Sequence, residues 1–277
     1  MLLKSKNKSL DLSTPQIMGI LNVTPDSFSD GGLHNTLDHA LFHAERMLSS
    51  GASILDVGGE STRPGAPDVA LNEELERVVP VVEAIRSRFD CWISIDTSKA
   101  VVMREAIQAG GDLINDVRAL REPGALGTAA EADVPVCLMH MQGQPRTMQT
   151  NPTYSDLTGD IVTFFEERIA ACEEVGICRK NIILDPGFGF GKTLTHNYQL
   201  LDKLEVFHRL GLPVLAGMSR KSMIYKLLAK TPQEVLAGSL ACATIAALKG
   251  AQIIRVHDVE ETWDVIHVVQ QIKNTTQ

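Results

Sequence analysis

Polar and ionisable residues recur at one kind of place in this chain: at the end of a short apolar run, or just past it. Asn22 follows Ile20-Leu21, Asp56 closes SILD, Asp96 closes WISID, and Asn115 and Asp116 close LIND. His140 and Gln142 follow CLM, Asp185 closes NIILD, Ser219, Arg220 and Lys221 follow PVLAGM, and Arg255 and His257 close IIRVH. These are the types that bind polar heterocycles and anions. A carboxylate accepts paired N–H donors, an amide both donates and accepts, and a guanidinium presents a planar fork to phosphate or carboxylate. One aspartate after one strand is an ordinary helix cap. The same pattern after nearly every apolar run describes a site, provided the fold gathers the run ends in one place.

The stretch DPGFGFGK, residues 185–192, tests what kind of anion that site takes. Gly191-Lys192-Thr193 supplies the end of a nucleotide phosphate loop, but that loop needs a glycine five positions before its second glycine, where Pro186 stands here. An ATP site is therefore not expected, and the glycines are read as letting the backbone pass close to a flat ring, since glycine has no Cβ. Two further segments, NVTPDSFSDGG at 22–32 and GGESTRPG at 58–65, are longer than a minimal strand-to-helix turn and have the composition of mobile lids. His39 and His43 have the i, i+4 spacing of metal ligands, but no third ligand is evident, and a solvated helix face is expected.

The elements that must position these residues follow from periodicity. Apolar residues make up 44% of 277, enough for a sizeable core. Strands are expected at 17–21, 53–57, 92–95, 112–115, 135–139, 181–184, 213–216 and 252–256. Helical periodicity covers 37–48, 71–88, 100–109, 157–175, 233–248 and 259–272, with weaker helices at 122–132 and 197–209. The strands are near-continuous apolar runs, as a parallel sheet buried on both faces requires. From Asn22 to Arg255 the repeat averages about 33 residues, the length of a strand–helix unit. A doubly wound open sheet is the competing architecture. Eight units use the whole chain without a linker, so the expectation is a (β/α)8 TIM barrel forming one domain over 1–277. In such a barrel all strand C-termini share one mouth.

Composition excludes several other classes. The net charge of −8, from 26 basic and 34 acidic residues, gives no basic face for nucleic acid. Five cysteines, at 91, 137, 172, 178 and 242, form no CxxC and are odd in number, which fits a reduced cytoplasm better than a disulfide framework. MLLKSKNKSLDLSTPQ carries three lysines and no apolar centre, so no secretory signal is expected, and the weakly polar stretch 237–248 is too short to span a bilayer. A cytoplasmic protein with no membrane and no nucleic-acid partner is expected.

Over residues 17 to about 258 the chain resembles the dihydropteroate synthase family of the folate pathway. The motifs that carry the resemblance are MGILNVTPDSFSDGG at 18–32, ILDVGGESTRPG at 54–65, SIDTSK at 94–99, LINDV at 113–117, DPGFGFGK at 185–192, GMSRKSMI at 217–224 and IIRVHDV at 253–259. The resemblance implies a transferase that joins 6-hydroxymethyl-7,8-dihydropterin diphosphate to p-aminobenzoate, releasing pyrophosphate. It also implies Mg2+ as cofactor, a homodimer, and sulfonamide analogues of p-aminobenzoate as plausible inhibitors.

Set against that reaction, Asp185 is the carboxylate for the two N–H donors of the pterin edge, with Asp96 and Asn115 on the rest of the ring and Lys221 reaching the same ring. Arg255, His257 and Thr62 are the diphosphate contacts. Asn22 matches the family's Mg2+ ligand and counts with the diphosphate group. The resemblance implies that Phe28, Thr62, Arg63, Pro64, Phe190, Ser219 and Lys221 are the p-aminobenzoate contacts, Ser219 at its carboxylate end. The residues expected to carry the chemistry are Lys221, Arg255, His257, Asp96 and Asp185. Met139 and Phe190 either line the pterin slot or belong to the core. The plain alternative for Arg255 and His257 is a surface ion pair with Asp258.

Three rival readings remain. A corrinoid-linked pterin methyltransferase domain resembles this barrel but has no diphosphate to hold. A Schiff-base aldolase would use Lys221 as nucleophile. A non-catalytic pterin-binding protein would keep Asp185 and Asn115 without needing segments 22–32 and 58–65.

Overall fold

The computed structural model describes residues 1–24, 33–61, 68–143, 148 and 150–275, the first four residues of the first helix by backbone alone. A two-stranded antiparallel hairpin, β1 (Leu2–Ser5) and β2 (Lys8–Asp11), comes first. Then β3 (Gln16–Asn22), β4 (Ile54–Gly58), β5 (Trp92–Asp96), β6 (Leu113–Asp116), β7 (Val136–Met139), β8 (Ile182–Asp185), β9 (Leu215–Ala216) and β10 (Ile253–Val256) form a parallel sheet in the order β8-β7-β6-β5-β4-β3-β10-β9. A parallel bridge from Leu184 to Val214, with Leu184 N–H donating to Pro213 O at 2.9 Å, joins the two ends. The sheet is a nearly closed TIM barrel.

Helices fill the connections: α1 (Leu33–Ser49), α2 (Leu71–Arg88), α3 (Ala100–Gln108), α4 (Ala125–Ala132), α5 (Leu157–Glu174), α6 (Leu194–Asp202), α7 (Ser222–Leu228), α8 (Leu236–Leu248) and α9 (Val259–Thr275). All eight barrel strands and the six strongly periodic helices lie where periodicity puts them, within a few residues. The weaker helices are cut by local chemistry. The expected 197–209 helix starts earlier, because Thr193 and His196 form a reciprocal capping box, and then gives way to a 3-10 turn, Leu204–Leu210, that ends at left-handed Gly211. Among the strongly periodic helices, the one expected at 233–248 begins three residues late, at Leu236, because a 3-10 turn, Pro232–Glu234, closed by a Thr231–Glu234 capping box, precedes it.

The barrel interior is layered by the two-residue period of a strand. At the base, Met18, Ile54, Trp92, Leu113, Cys137, Ile183, Leu215 and Ile253, one residue per strand, form a buried cluster with Leu3 and Leu12. The hairpin thus corks the N-terminal end of the barrel. Lys6 Nζ donates to Ile107 O and Gly111 O, both at 3.0 Å, and Lys8 Nζ to Cys91 O at 2.7 Å. Two residues further along every strand except the two-residue β9 come Ile20, Asp56, Ser94, Asn115, Met139, Asp185 and Arg255, and beyond them Asn22 and Asp96. The alternate residues, such as Ile93, Ile95, Ile114, Leu138 and Leu184, face outward into the main core under the helices.

Candidate active site at the barrel mouth

The centre of the mouth is a web around Arg255. Its Nε donates to Asp56 Oδ2 at 2.6 Å and its Nη2 to Asp96 Oδ2 at 2.8 Å, while Asn115 Nδ2 donates to both Asp56 oxygens at 3.2–3.3 Å. Asp56 is fully buried. Burial works against the Arg255 charge, but Asp56 and Asp96 outweigh it and hold the guanidinium above its ordinary range. Burial and the neighbouring Asp56 charge push Asp96 up to about 7, against the pull of Arg255. Two of the five guanidinium N–H donors are taken by these carboxylates, so three remain for a ligand. Asp258, the surface partner considered above, is bound instead by Arg220 through Nε at 3.0 Å and through Nη2.

Asp185 stands across the mouth, buried at the end of β8, with Oδ1 accepting from Gly187 N–H at 2.8 Å. Burial raises its pKa, opposed chiefly by Lys221, then by the Gly187 N–H and Arg255. Burial lowers Lys221 to about 8, with Asp185 pulling the other way. Its Nζ donates to Phe188 O at 2.9 Å and lies 4.8 Å from the centroid of the Phe190 ring. Phe190 belongs to a small buried cluster with Val117, Met139, Met141 and Met148, so Phe190 and Met139 pack together beside Lys221.

Stretch 185–192 is not a phosphate cradle. Lys192 is buried and turned inward, its Nζ bonded to Gly187 O at 2.9 Å, Phe190 O at 3.1 Å and His140 Nδ1 at 3.0 Å. Burial lowers this lysine to about 7. The glycine expectation needs a correction as well. Gly187 and Gly191 have φ of 72° and 62°, and a Cβ on them would lie 1.9 Å from His140 O and 2.4 Å from Gln142 O. They permit close approach to the chain after β7, not to a ligand. At Gly189 a Cβ would have Lys221 Cδ at an ordinary 3.5 Å.

Ser219 Oγ lies 3.1 Å from His257 Nδ1 and accepts the His257 N–H at 3.2 Å, which ties the end of β10 to the turn after β9. Asn22 ends β3, half-buried, beside β10 on one side and β4 on the other. Phe28, Thr62, Arg63 and Pro64 lie outside the described residues. Asp116, His140 and Gln142, like Arg220, do not join the web. Asp116 faces the other way and bonds Ser98 Oγ and the N–H groups of Arg118 and Leu120. His140 is kept neutral by burial against Lys192, and Gln142 clasps the backbone of Thr153. Among the described residues no group of three or more His, Cys, Asp or Glu is placed to hold a metal.

The family model for a pterin binding enzyme matches residues 18–257, from β3 through His257 just past β10. The chain belongs to the pterin-binding enzyme family. The dihydropteroate synthase of Escherichia coli K12 is 60% identical over 270 residues, 98% of this chain and 96% of that protein. Among solved structures, a Yersinia pestis dihydropteroate synthase in complex with a sulfonamide drug superposes with a TM-score of 0.95 at 60% identity, covering 99% of this chain and all of that one. The 7,8-dihydropteroate synthase of Vibrio fischeri ES114 is 65% identical with a TM-score of 0.91 and full coverage of both chains. This pterin-binding enzyme is therefore a transferase of the dihydropteroate synthase type acting on small molecules, and the methyltransferase alternative is not favoured.

Sequence reasoning noticed Asp56 at a strand end but gave it no role. The signal was present: Asp56 shares the inward face with Ile54 and aligns across the sheet with Ile20 and Ser94. What the sequence could not show is that Arg255, 199 residues away, leans on it.

Proposed function

We propose that the mouth divides the reaction between two sides, one for the heterocycle and one for the leaving group. The reaction condenses 6-hydroxymethyl-7,8-dihydropterin diphosphate with p-aminobenzoate: the methylene C–O bond breaks, the amine nitrogen forms the new C–N bond, and pyrophosphate leaves. On the heterocycle side, the Asp185 carboxylate accepts the paired N–H donors of the pterin edge, and Asn115, Asp96 and Lys221 take the remaining ring polar atoms. On the other side, Arg255 and His257 receive the diphosphate. What supports this is the web itself: Arg255 touches the layer that carries Asp96 and Asn115, and its charge is felt at Asp185.

Asn22 is the residue that would hold Mg2+. The donor chemistry fits: one neutral amide oxygen at the rim, no carboxylate cage among the described residues, and a diphosphate to supply further oxygens. Bound there, the ion would neutralise charge developing on the leaving diphosphate. Fixed donors aimed at such charge lower barriers by roughly 2.7–4 kcal/mol each in other enzymes. Departure of pyrophosphate before attack is the favoured order, because the electron-rich dihydropterin ring stabilises its exocyclic methylene cation. Ser219, Phe190 and the aliphatic part of Lys221 would receive p-aminobenzoate together with Phe28, Thr62, Arg63 and Pro64. An arylamine is neutral at pH 7 and needs no strong base. The carboxylates facing the cation are not simple anions: burial raises both Asp96 and Asp185, so their contribution depends on their neighbours.

The chain is proposed to act as one unit in the cytoplasm. No helix of the described residues is long and apolar enough to cross a membrane. A homodimer is proposed through the face of α8 and α9, where Ile245, Leu248, Trp263, Val268 and Ile272 are exposed apolar residues; sedimentation at micromolar concentration checks it. The residue assignment is tested by Asp185→Ala and Lys221→Ala in a coupled pyrophosphate-release assay. Both are expected to lose turnover at least a hundredfold with an unchanged circular dichroism spectrum. Normal turnover in either removes that residue from the site.

A further inference from the structure

The segment that follows Asp96 spends every side chain on a neighbour. Thr97 Oγ1 donates to Glu74 Oε1, Ser98 Oγ bonds Asp116, and the Lys99 ammonium lies between Glu60 Oε2 and Glu74 Oε2. Glu74, in the first turn of α2, is fully buried. A carboxylate taken out of water to that degree needs a cation and further hydrogen bonds, and here one lysine and one threonine supply them. Lys99 N–H also donates to Thr97 Oγ1 at 3.2 Å, and Thr97 N–H to Asn115 O at 3.2 Å. The clamp therefore reaches β6 as well.

The other arm holds the end of β4. Glu60 follows Gly58-Gly59, and the Gly59 carbonyl accepts from Arg77 Nη1 of α2 at 2.8 Å. A Cβ at Gly59 would lie 2.8 Å from Val78 Cγ2 and 3.1 Å from Glu74 Cγ, so this turn is pressed onto α2. Gly58 is registered opposite Asp96, and a Cβ there would lie 3.3 Å from the Asp96 Cβ. Strand ends β4 and β5 are thus both tied to α2, and the Lys99 ammonium is the one group that joins the two arms, behind the face that carries Asp96.

We propose that Lys99 is a positioning residue for Asp96: by clamping Glu60 and Glu74 it fixes the ends of β4 and β5 so that Asp96 meets both Arg255 and the pterin. The inference rests on the reading of Asp96 as a pterin contact. In that reading Lys99 is not a substrate contact and acts through Thr97, Glu74 and Glu60. Without its charge, two carboxylates, one of them fully buried, would face each other without a cation, and the strand ends would spread.

The test uses the whole enzyme and 6-hydroxymethylpterin, which lacks the diphosphate, as a calorimetric probe of the heterocycle pocket. Lys99→Met is expected to weaken the probe at least tenfold and to raise KM for the pterin diphosphate by a similar factor, with kcat at saturation within threefold. Lys99→Arg, which can still bridge both acids, is expected to restore the affinity to within threefold. A merely structural lysine would instead lower the active fraction, and so kcat, with both KM values unchanged. That pattern, or a probe affinity within twofold of the parent, overturns the proposal. Should Lys99→Met fail to fold, Thr97→Val cuts the Glu74 link and leaves the ion cluster. It is expected to weaken the probe about fivefold, and an unchanged affinity overturns the proposal. Asp96→Asn separates the two claims. If it leaves probe binding intact, the reading of Asp96 fails; if it weakens the probe while the clamp variants do not, the clamp fails.

Discussion

Replacing Asp56 by Asn probes the join between the two halves of the site. The carboxylate is fully buried and accepts from Arg255 at 2.6 Å and from Asn115 at 3.2 Å. Asn preserves the volume, removes the charge, and turns part of the acceptor surface into a donor that faces another donor. A hydrogen bond to a charged group contributes about 1.5–3 kcal/mol. Arg255 keeps Asp96 at 2.8 Å, so the cost should stay below the roughly 3–5 kcal/mol of a buried pair broken outright. Converted at about 1.4 kcal/mol per tenfold, kcat/KM for the pterin diphosphate should fall roughly 10- to 150-fold. KM for p-aminobenzoate should change little, since neither Arg255 nor Asn115 belongs to its proposed slot. At about 2 °C per kcal/mol for a chain of this size, the melting temperature should drop by roughly 3–6 °C. Pyrophosphate release under separate saturation of each substrate, with a thermal scan, reads all three quantities. Parental kcat/KM for the pterin substrate would refute the idea that Asp56 orients the phosphate-binding fork and the ring-binding amide together.

The remaining predictions concern protons, the metal and the order of bond breaking. Because burial lowers Lys221 to about 8, its ammonium is lost as pH rises through that value, so kcat/KM for the pterin diphosphate should decline about tenfold per unit above it. Asp185 is raised, so the acid limb should fall at a higher pH than an ordinary carboxylate near 3.9; Lys221→Arg should remove the alkaline limb only, and a flat profile from pH 7 to 10 in the parent contradicts the assignment. Asn22→Ala should raise the Mg2+ concentration for half-maximal rate about tenfold while 6-hydroxymethylpterin binding without metal stays as it was, measured by titration of each. If pyrophosphate leaves first, oxygen-18 in the bridging position should scramble in enzyme-bound pterin diphosphate when Mg2+ is present and the amine is omitted; absence of scrambling under conditions where reversal is seen argues for concerted displacement.

Much of this was legible in the chain because a buried parallel strand writes its own signature. Runs such as Ile182-Ile183-Leu184 mark strands of a parallel sheet buried on both faces, and the polar residue that ends each run marks the mouth. Elements made of few residues left no such mark. The hairpin at Leu2–Ser5 and Lys8–Asp11 has four-residue strands rich in Lys and Ser, and its turn relies on Lys6 at a φ of 49°, which composition does not announce. Helix α7, seven residues beginning directly after Lys221, is too short for periodicity to register. In the site, residue types told which side chains could bind a heterocycle or an anion, but not which would bind each other. Asp56, Asp116 and His140 look alike as strand-end groups. Only the direction of the strand pleat separates the first, which faces the cavity, from the other two, which face the helices.

The joint between β8 and β9 has a consequence for how substrate and scaffold affect each other. β9 is two residues long, and its link to β8 is the bridge from Leu184 to Val214. Asp185 stands at one lip of that joint and Lys221 at the other, with the Lys221-to-Phe188 hydrogen bond crossing it. A pterin gripped by both residues becomes a rivet across the shortest stitching of the wall. Amide hydrogens at 182–185 and 214–216 should then exchange fastest among the strands in the empty enzyme and slow most when the heterocycle is seated.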